Sequence, residues 1–228
     1  YNYENYQDQI DSYDSARGAS VDTVVNAGDA TNQGFEVEAT WLVGDYFTLG
    51  GNYSYTDTEY NESYLVTERN DFNLPNSLFQ FALDENGNRI QNAVGQNEFN
   101  LDAYVRDVQG NPLKRIPKQK ATVYGSYEIP TVNGMLSLNA TYSYTGEYAS
   151  SAFQRAIDLV PSRKRIDFSI NWKDNADKWV ARFFVDNVTD ERVFRGIGLS
   201  TESSNYRTTG ERLYPRYWGF DVTRRFGG

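Results

Sequence analysis

Eight stretches of this chain alternate apolar and polar residues with a period of two, and the connections between them alternate short and long. The closing stretch, 214–226, shows the pattern in full. Trp218, Phe220, Val222 and Phe226 share one parity, and Tyr217, Gly219, Asp221, Thr223 and Arg225 share the other. Successive side chains of a strand point to opposite faces, so each stretch predicts a strand with one apolar and one polar wall. The other seven cover roughly 1–10, 32–43, 46–58, 118–129, 134–147, 162–173 and 178–188, the first with imperfect alternation. In 32–43, Phe35, Val37, Ala39, Trp41 and Val43 oppose Glu36, Glu38 and Thr40; in 162–173, Ile166, Phe168, Ile170 and Trp172 oppose Arg165, Asp167, Ser169 and Asn171. No helical period stands out.

Two walls alone do not say what the apolar one faces. In water it covers a core; in a membrane barrel it faces lipid and the polar wall lines the lumen. The connections decide. Three are tight: Gly44-Asp45, 130–134 with its turn-forming Asn133-Gly134, and 173–177. Four are long: 11–31, 59–117, 148–161 and 189–213. Strict alternation puts the tight turns at one end of the sheet and the long loops at the other. A soluble sandwich has no reason to be so one-sided, whereas an outer-membrane barrel has short periplasmic turns and long extracellular loops. Strands of about 10–13 residues also match the roughly 9–11 that a tilted membrane crossing needs. Aromatics mark both ends. Trp41, Phe47, Tyr127, Trp172 and Trp179 lie near the tight turns, and Tyr53, Tyr55, Tyr142 and Tyr144 lie toward the long loops. The expectation is an antiparallel, up-and-down transmembrane β-sheet of about eight strands.

Composition agrees once strands rather than helices cross the membrane. Hydrophobic residues are 39% and mean hydropathy is −0.68, because a barrel strand needs an apolar residue only at every second position. The net charge of −9 argues against nucleic-acid binding, which needs a basic surface. With no Cys and no His, thiol nucleophiles, Ser-His-Asp triads and imidazole metal sites are excluded within these 228 residues. No catalytic constellation is visible, no cofactor is called for, and the chain is not expected to be an enzyme. It starts on Tyr1 inside a strand-like run, which reads as a processed chain or a piece of a longer one.

Several segments resemble the carboxy-terminal barrel half of TonB-dependent outer-membrane receptors. VNAGDATNQGFEVEATW (25–41) is similar to the family's asparagine-alanine-glycine segment leading into a glycine-then-glutamate strand, and GNYSYTDTEY (51–60) to the strand after it. RIPKQKATVYGSYEIP (115–130), VDNVTDERVFRG (185–196) and PRYWGFDVTRRF (215–226) are similar to the next strand after a long loop, the penultimate strand and the last strand. The resemblance implies a bacterial outer-membrane location and energised uptake of a scarce nutrient: a ferric siderophore, a vitamin or an oligosaccharide. It implies as partners the outer-membrane lipid, a polar nutrient ligand and the barrel-assembly machinery, which would read Trp218, Phe220, Val222 and Phe226. It also implies the rest of a 22-stranded barrel, a plug domain and TonB, none of which these eight strands supply. Gly227 and Gly228 after Phe226 depart from the family's aromatic ending.

Candidate ligand residues lie in the long loops. The 59–117 loop places Tyr64, Phe72, Phe79, Phe81, Phe99 and Tyr104 among amides and carboxylates, a mixture suited to a polar ligand with apolar faces. The 189–213 loop adds Phe194, Arg195, Tyr206 and Arg207. Asp84 to Asn88 (DENGN) faintly resembles a calcium loop but reads better as a hairpin turn on Asn86-Gly87. Asn52, Asn61, Asn139 and Asn187 open Asn-x-Ser/Thr triplets that a bacterial barrel would leave unmodified. Polar-wall charges such as Glu36, Glu38, Lys120, Arg165, Asp167, Arg182 and Asp221 could pair across strands. Two other architectures stay open: a self-closing eight-stranded outer-membrane barrel with a structural or adhesion role, in which the first strand pairs with the last, and a secreted carbohydrate-binding β-sandwich, which buries Trp41, Phe168, Trp172 and Phe183 against a second sheet.

Overall fold

A computed structural model of the chain describes residues 2–4, 6–14, 19–67, 82–91, 95, 105–199 and 207–226. Along the chain, β1 (Asn2–Tyr3) is followed by the hairpin of β2 (Gln7–Asp14) and β3 (Ala19–Asn26), then by the long strands β4 (Ala30–Val43) and β5 (Phe47–Tyr60). The short β6 (Leu65–Thr67) and β7 (Val105–Asp107) precede β8 (Gln119–Thr131) and β9 (Gly134–Thr145). The pair β10 (Tyr148–Ala149) and β11 (Leu159–Val160) precedes β12 (Arg163–Asp174) and β13 (Trp179–Asp186). A last pair, β14 (Phe194–Leu199) and β15 (Thr208–Arg212), leads into β16 (Tyr217–Arg224). No helix among the described residues is long and apolar enough to cross a membrane, which says nothing about strands.

Eight strands form one sheet in the order β1-β4-β5-β8-β9-β12-β13-β16, each antiparallel to its neighbours. The expected alternation of connections holds, and each long one contains a two-stranded ladder of its own: β2–β3, β6–β7, β10–β11 and β14–β15. The first expected strand, 1–10, is divided. Among the described residues of that stretch, only Asn2 and Tyr3 pair with the sheet, opposite Thr31 and Ala30, while Gln7 onward pairs with β3. Its imperfect alternation reflects that division. β1 and β16 are the sheet's two edges and are not paired with each other, so the sheet does not close on itself as a small barrel would.

Register aligns the walls. Val43, Phe47, Tyr127, Leu138, Ile170, Phe183 and Phe220 stand opposite one another across seven strands. So do Trp41, Leu49, Gly125, Ala140, Phe168, Val185 and Trp218. The opposite face carries rows such as Glu38, Asn52, Thr122, Ser143 and Arg165. A one-residue slip at any pair would exchange the two walls. The polar wall also has one close fit. The Tyr124 ring lies over Gly50, where any Cβ would meet it, and its hydroxyl is 3.0 Å from Thr40 Oγ1.

The tight turns brace one another. Glu128 N–H donates to the Tyr46 carbonyl, and Asn175 Nδ2 donates to the Val132 carbonyl. In the third turn the Asp174 carboxylate accepts the N–H groups of Lys178 and Trp179. Lys173, and beyond it Arg225, hold the Asp177 carboxyl below its ordinary range.

The apolar wall is bare. Trp41 is 65% exposed, Phe220 64% and Trp218 71%, and no second sheet covers them among the described residues. A contiguous apolar face of this size is unstable in water. The sandwich reading, which needed Trp41 buried, is therefore overturned. The buried cluster lies elsewhere, at the long-loop end: Ala27, Ala30, Tyr60, Tyr64, Val66, Val108, Leu113 and Ala152.

Because the chain has no cysteine, single-cysteine variants report each wall cleanly. In vesicles, Phe168→Cys and Ile170→Cys are expected to resist a charged maleimide, whereas Asp167→Cys and Ser169→Cys react; equal reactivity along β12 would disprove a lipid-facing wall.

Candidate functional site

β5 continues from Tyr55 to Tyr60, past the last aromatics of the lipid-facing wall, and its end is the anchor of the loop layer. Tyr60 OH donates to Asp8 Oδ2 at 2.9 Å, and Lys114 Nζ lies 2.6 Å from Asp8 Oδ1. Asp8 is 2% exposed, so the carboxylate is stable there only because a cation and a hydroxyl face it. Rings of Tyr3, Tyr6, Tyr60 and Tyr64 follow one another with centroids 6.0, 6.2 and 5.6 Å apart. Burial, reinforced by the Asp8 charge, pushes the Tyr60 and Tyr64 phenols well above the usual tyrosine range. Beside them Asp107 accepts the N–H groups of Gln109 and Tyr64 and the Ser63 hydroxyl, which hold its carboxyl low.

From this anchor the four loop hairpins are joined in sequence. Asp8, ahead of β3, ties the first to the second through Tyr60 and Lys114. Asn111 Nδ2 donates to the Ala152 carbonyl at 2.8 Å, Gln154 Nε2 to the Pro112 carbonyl at 3.0 Å, and Arg115 N–H to the Ala149 carbonyl, joining the second to the third. Tyr148 OH donates to the Arg195 carbonyl at 2.6 Å, joining the third to the fourth. Within the third loop the Asp158 carboxylate grips Arg155 Nε and Nη2 at 2.8 and 2.9 Å.

Asn187 has a structural role that its place in an Asn-x-Thr triplet did not reveal. It is 2% exposed with φ +52°. Its Nδ2 donates to the carbonyls of Glu191 and Tyr214, its Oδ1 accepts Glu191 N–H, and its own N–H donates to Asp167. Asp190 accepts Arg216 N–H and Arg192, which lowers its carboxyl pKa. The Asn187–Asp190 turn thus holds the start of β16 against β13. The only signal in the sequence was the resemblance carried by 185–196.

Of the predicted ligand residues that the structure describes, Tyr64 lies at the base of the second loop and Phe194, Arg195 and Arg207 lie on the last hairpin. Tyr64 is in the buried cluster, 8% exposed, with a hydroxyl that finds no hydrogen-bond partner. Phe194 is half-buried on the last hairpin, over Gly210 and under the Arg212 guanidinium, 5.3 Å from the ring centre. Arg195 is exposed and ion-paired with Glu211, whose carboxyl it holds low. Arg207 is exposed at the start of the β15 segment. Phe72, Phe79, Phe81, Phe99, Tyr104 and Tyr206 lie outside the described residues, as do Gly227 and Gly228. DENGN is a turn: the Asp84 carboxylate accepts the N–H groups of Asn86 and Asn88. On the polar wall Arg165 pairs with Asp167 on its own strand at 2.7 Å and with Asp186 across to β13 at 3.4 Å. Arg182 opposes Asp221 in register and stands over the Phe184 ring, 4.9 Å from its centre.

A lipid-facing wall, a polar wall and a layer of long structured loops at one end define part of an up-and-down membrane β-barrel. Residues 1–188 match the family described as TonB dependent receptor-like, beta-barrel, and the chain belongs to that family. No curated protein matches the sequence. Among solved structures, the ferric yersiniabactin uptake receptor FyuA of Yersinia pestis is similar over 90% of this chain and 25% of its own, at 16% identity and a TM-score of 0.61. The siderophore receptor PiuA of Acinetobacter baumannii is similar over 97% and 24%, at 18% identity and a TM-score of 0.56. The ferric preacinetobactin receptor BauA of the same species is similar over 96% and 26%, at 14% identity and a TM-score of 0.54. At these identities the likeness shows the fold, and the chain spans about a quarter of the length of the structures it resembles.

Two outcomes follow from the anchor. Lys114→Met leaves the buried Asp8 carboxylate without its cation and is expected to cost about 3 kcal/mol; Asp8→Asn combined with Lys114→Met costs less than the two changes summed, as urea unfolding in detergent micelles would show. Tyr60 and Tyr64 stay protonated while exposed tyrosines ionise near pH ~10. Because their folded pKa is raised, the stability they contribute is fully present below that pH and falls as pH rises beyond it. Ultraviolet difference titration should therefore show a late tyrosine phase, which Tyr60→Phe and Tyr64→Phe each diminish.

Proposed function

We propose that this chain is the last eight strands of the barrel of an outer-membrane, TonB-dependent receptor that takes up a ferric siderophore. The observation that carries the reading is the joined layer of four loop hairpins standing on a two-walled membrane sheet, in a chain of this receptor family. The placement at the end of the barrel is supported by the likeness of 215–226 to the family's last strand. The choice of a ferric siderophore among scarce nutrients is supported by similar folds in receptors of that class.

In this reading the loops bind the ligand from outside. Arg195, held in place by Glu211, and Arg207 supply positive charge on the exposed last hairpin for an anionic or oxygen-rich ligand. The aromatics Phe72, Phe79, Phe81, Phe99, Tyr104 and Tyr206 supply apolar contact, and Phe194 steadies the hairpin that carries Arg195. Tyr64 acts from beneath, keeping the base of the second loop in place. The polar wall lines the route inward once energy delivered through TonB displaces a plug supplied by the rest of the receptor. Trp218, Phe220 and Val222 on the final strand, with Phe226 just beyond its end, are what the barrel-assembly machinery engages.

The test is uptake of radiolabelled ferric siderophores by iron-limited cells of the bacterium that makes the protein. Disrupting the coding region of this chain should abolish uptake of at least one ferric siderophore, to the same level as a protonophore does in intact cells. Unchanged uptake across a panel of ferric siderophores would refute the assignment.

A further inference from the structure

The lipid-facing wall is not uniformly filled. On β4, β5 and β8 a notch of about 330 Å³ is lined by Ala39, Trp41, Leu49, Gly50, Gly51 and Val123. Its cause is a pair of small residues in register, Ala39 opposite Gly51, between larger side chains. Gly51 is bound to stay small, because a Cβ there would run into the Thr122 carbonyl. Trp41 and Leu49 stand on the turn side, and Val37 and Tyr53 face each other across β4 and β5 on the loop side. Trp41 and Val37 are both more than half exposed, so the hollow opens outward, away from the polar wall.

The geometry points to a specific lipid site: one acyl chain of a phospholipid from the turn-side leaflet lies in this notch and is held longer than the lipids around it. The inference rests on the membrane reading above. The occupant follows from where the hollow is. Its lining offers essentially no polar surface, which excludes a polar ligand and an ordered water. It is continuous with a wall that only hydrocarbon can cover. Depth selects the leaflet. Ala39 lies four residues from Val43, about 13 Å along a strand at ~3.3 Å per residue and less once the strand is tilted. An apolar band of about 25 Å places that point in the turn-side half. An unfilled hollow would leave its lining without van der Waals partners on one side, so a chain that enters gains contacts a flat wall does not offer.

Trp41 reports on the site. A variant with Trp172, Trp179 and Trp218 all changed to Phe leaves Trp41 alone; a companion variant leaves Trp218 alone. Both are placed in phosphatidylcholine vesicles containing increasing fractions of a lipid brominated on its acyl chains. Trp41 fluorescence is expected to fall at several-fold lower mole fraction of brominated lipid than Trp218 fluorescence, and Ala39→Leu, which fills the notch, is expected to remove that difference. Superimposable quenching curves for Trp41 and Trp218 would overturn the lipid site while leaving the lipid-facing wall standing. Absence of quenching at both positions would instead refute the membrane reading itself. Ala39→Gly, which keeps the notch open, should behave as the parent; loss of the difference in that variant would also overturn the site.

Discussion

Hydrocarbon offers no partner to a backbone N–H or C=O, and every other feature of this sheet follows from that. A strand in lipid must find its hydrogen bonds in neighbouring strands. The ladder is therefore continuous from β4 to β16, and its register is tied to the side chains. Each apolar row, such as the one from Val43 through Leu138 to Phe220, exists only if all seven strands are paired without a slip. The same requirement explains the tight turns, which return the chain immediately and hydrogen-bond to one another at the rim.

Past the membrane the constraint is lifted and a different one replaces it. The loops stand in water and must supply their own core. They do so with small aliphatic residues packed around two tyrosines, Tyr60 and Tyr64, beside a buried carboxylate. Asp8 is costly to bury alone, so it is stable only while Tyr60 and Lys114 are both in place. That mutual dependence brings together residues from distant parts of the chain and sets the base on which the remaining hairpins rest. The bridges through Asn111, Gln154 and Tyr148 extend the arrangement to the last hairpin, where Arg195 and Arg207 reach solvent.

The sheet was legible in the sequence to within a few residues because its signal is local. Parity along 32–43 or 162–173 can be read without knowing any partner, and the Asn133-Gly134 and Gly44-Asp45 turns announce themselves. The exception, 1–10, shows the limit. Its alternation is equally compatible with joining the sheet or folding back on β3, and the chain does both in succession. The loop layer was far less legible. Tyr64 looks like a ligand contact in the sequence but is part of the loop core, and Asn187 looks like an idle glycosylation triplet but holds the start of β16. Asp8 carried no signal at all, because its partners lie more than fifty residues away.

What the sequence determined by itself was the strand count, the identity of the two walls and which end carries the loops, since all three depend on side-chain order and on the lengths of connections. What only the tertiary structure decided was which groups meet: the Asp8–Tyr60–Lys114 anchor, the chain of bridges between loops, the open edges at β1 and β16, and the hollow beside Trp41. Period and spacing are properties of one segment, whereas burial, pairing and shape arise between segments and appear only when the strands are brought into register.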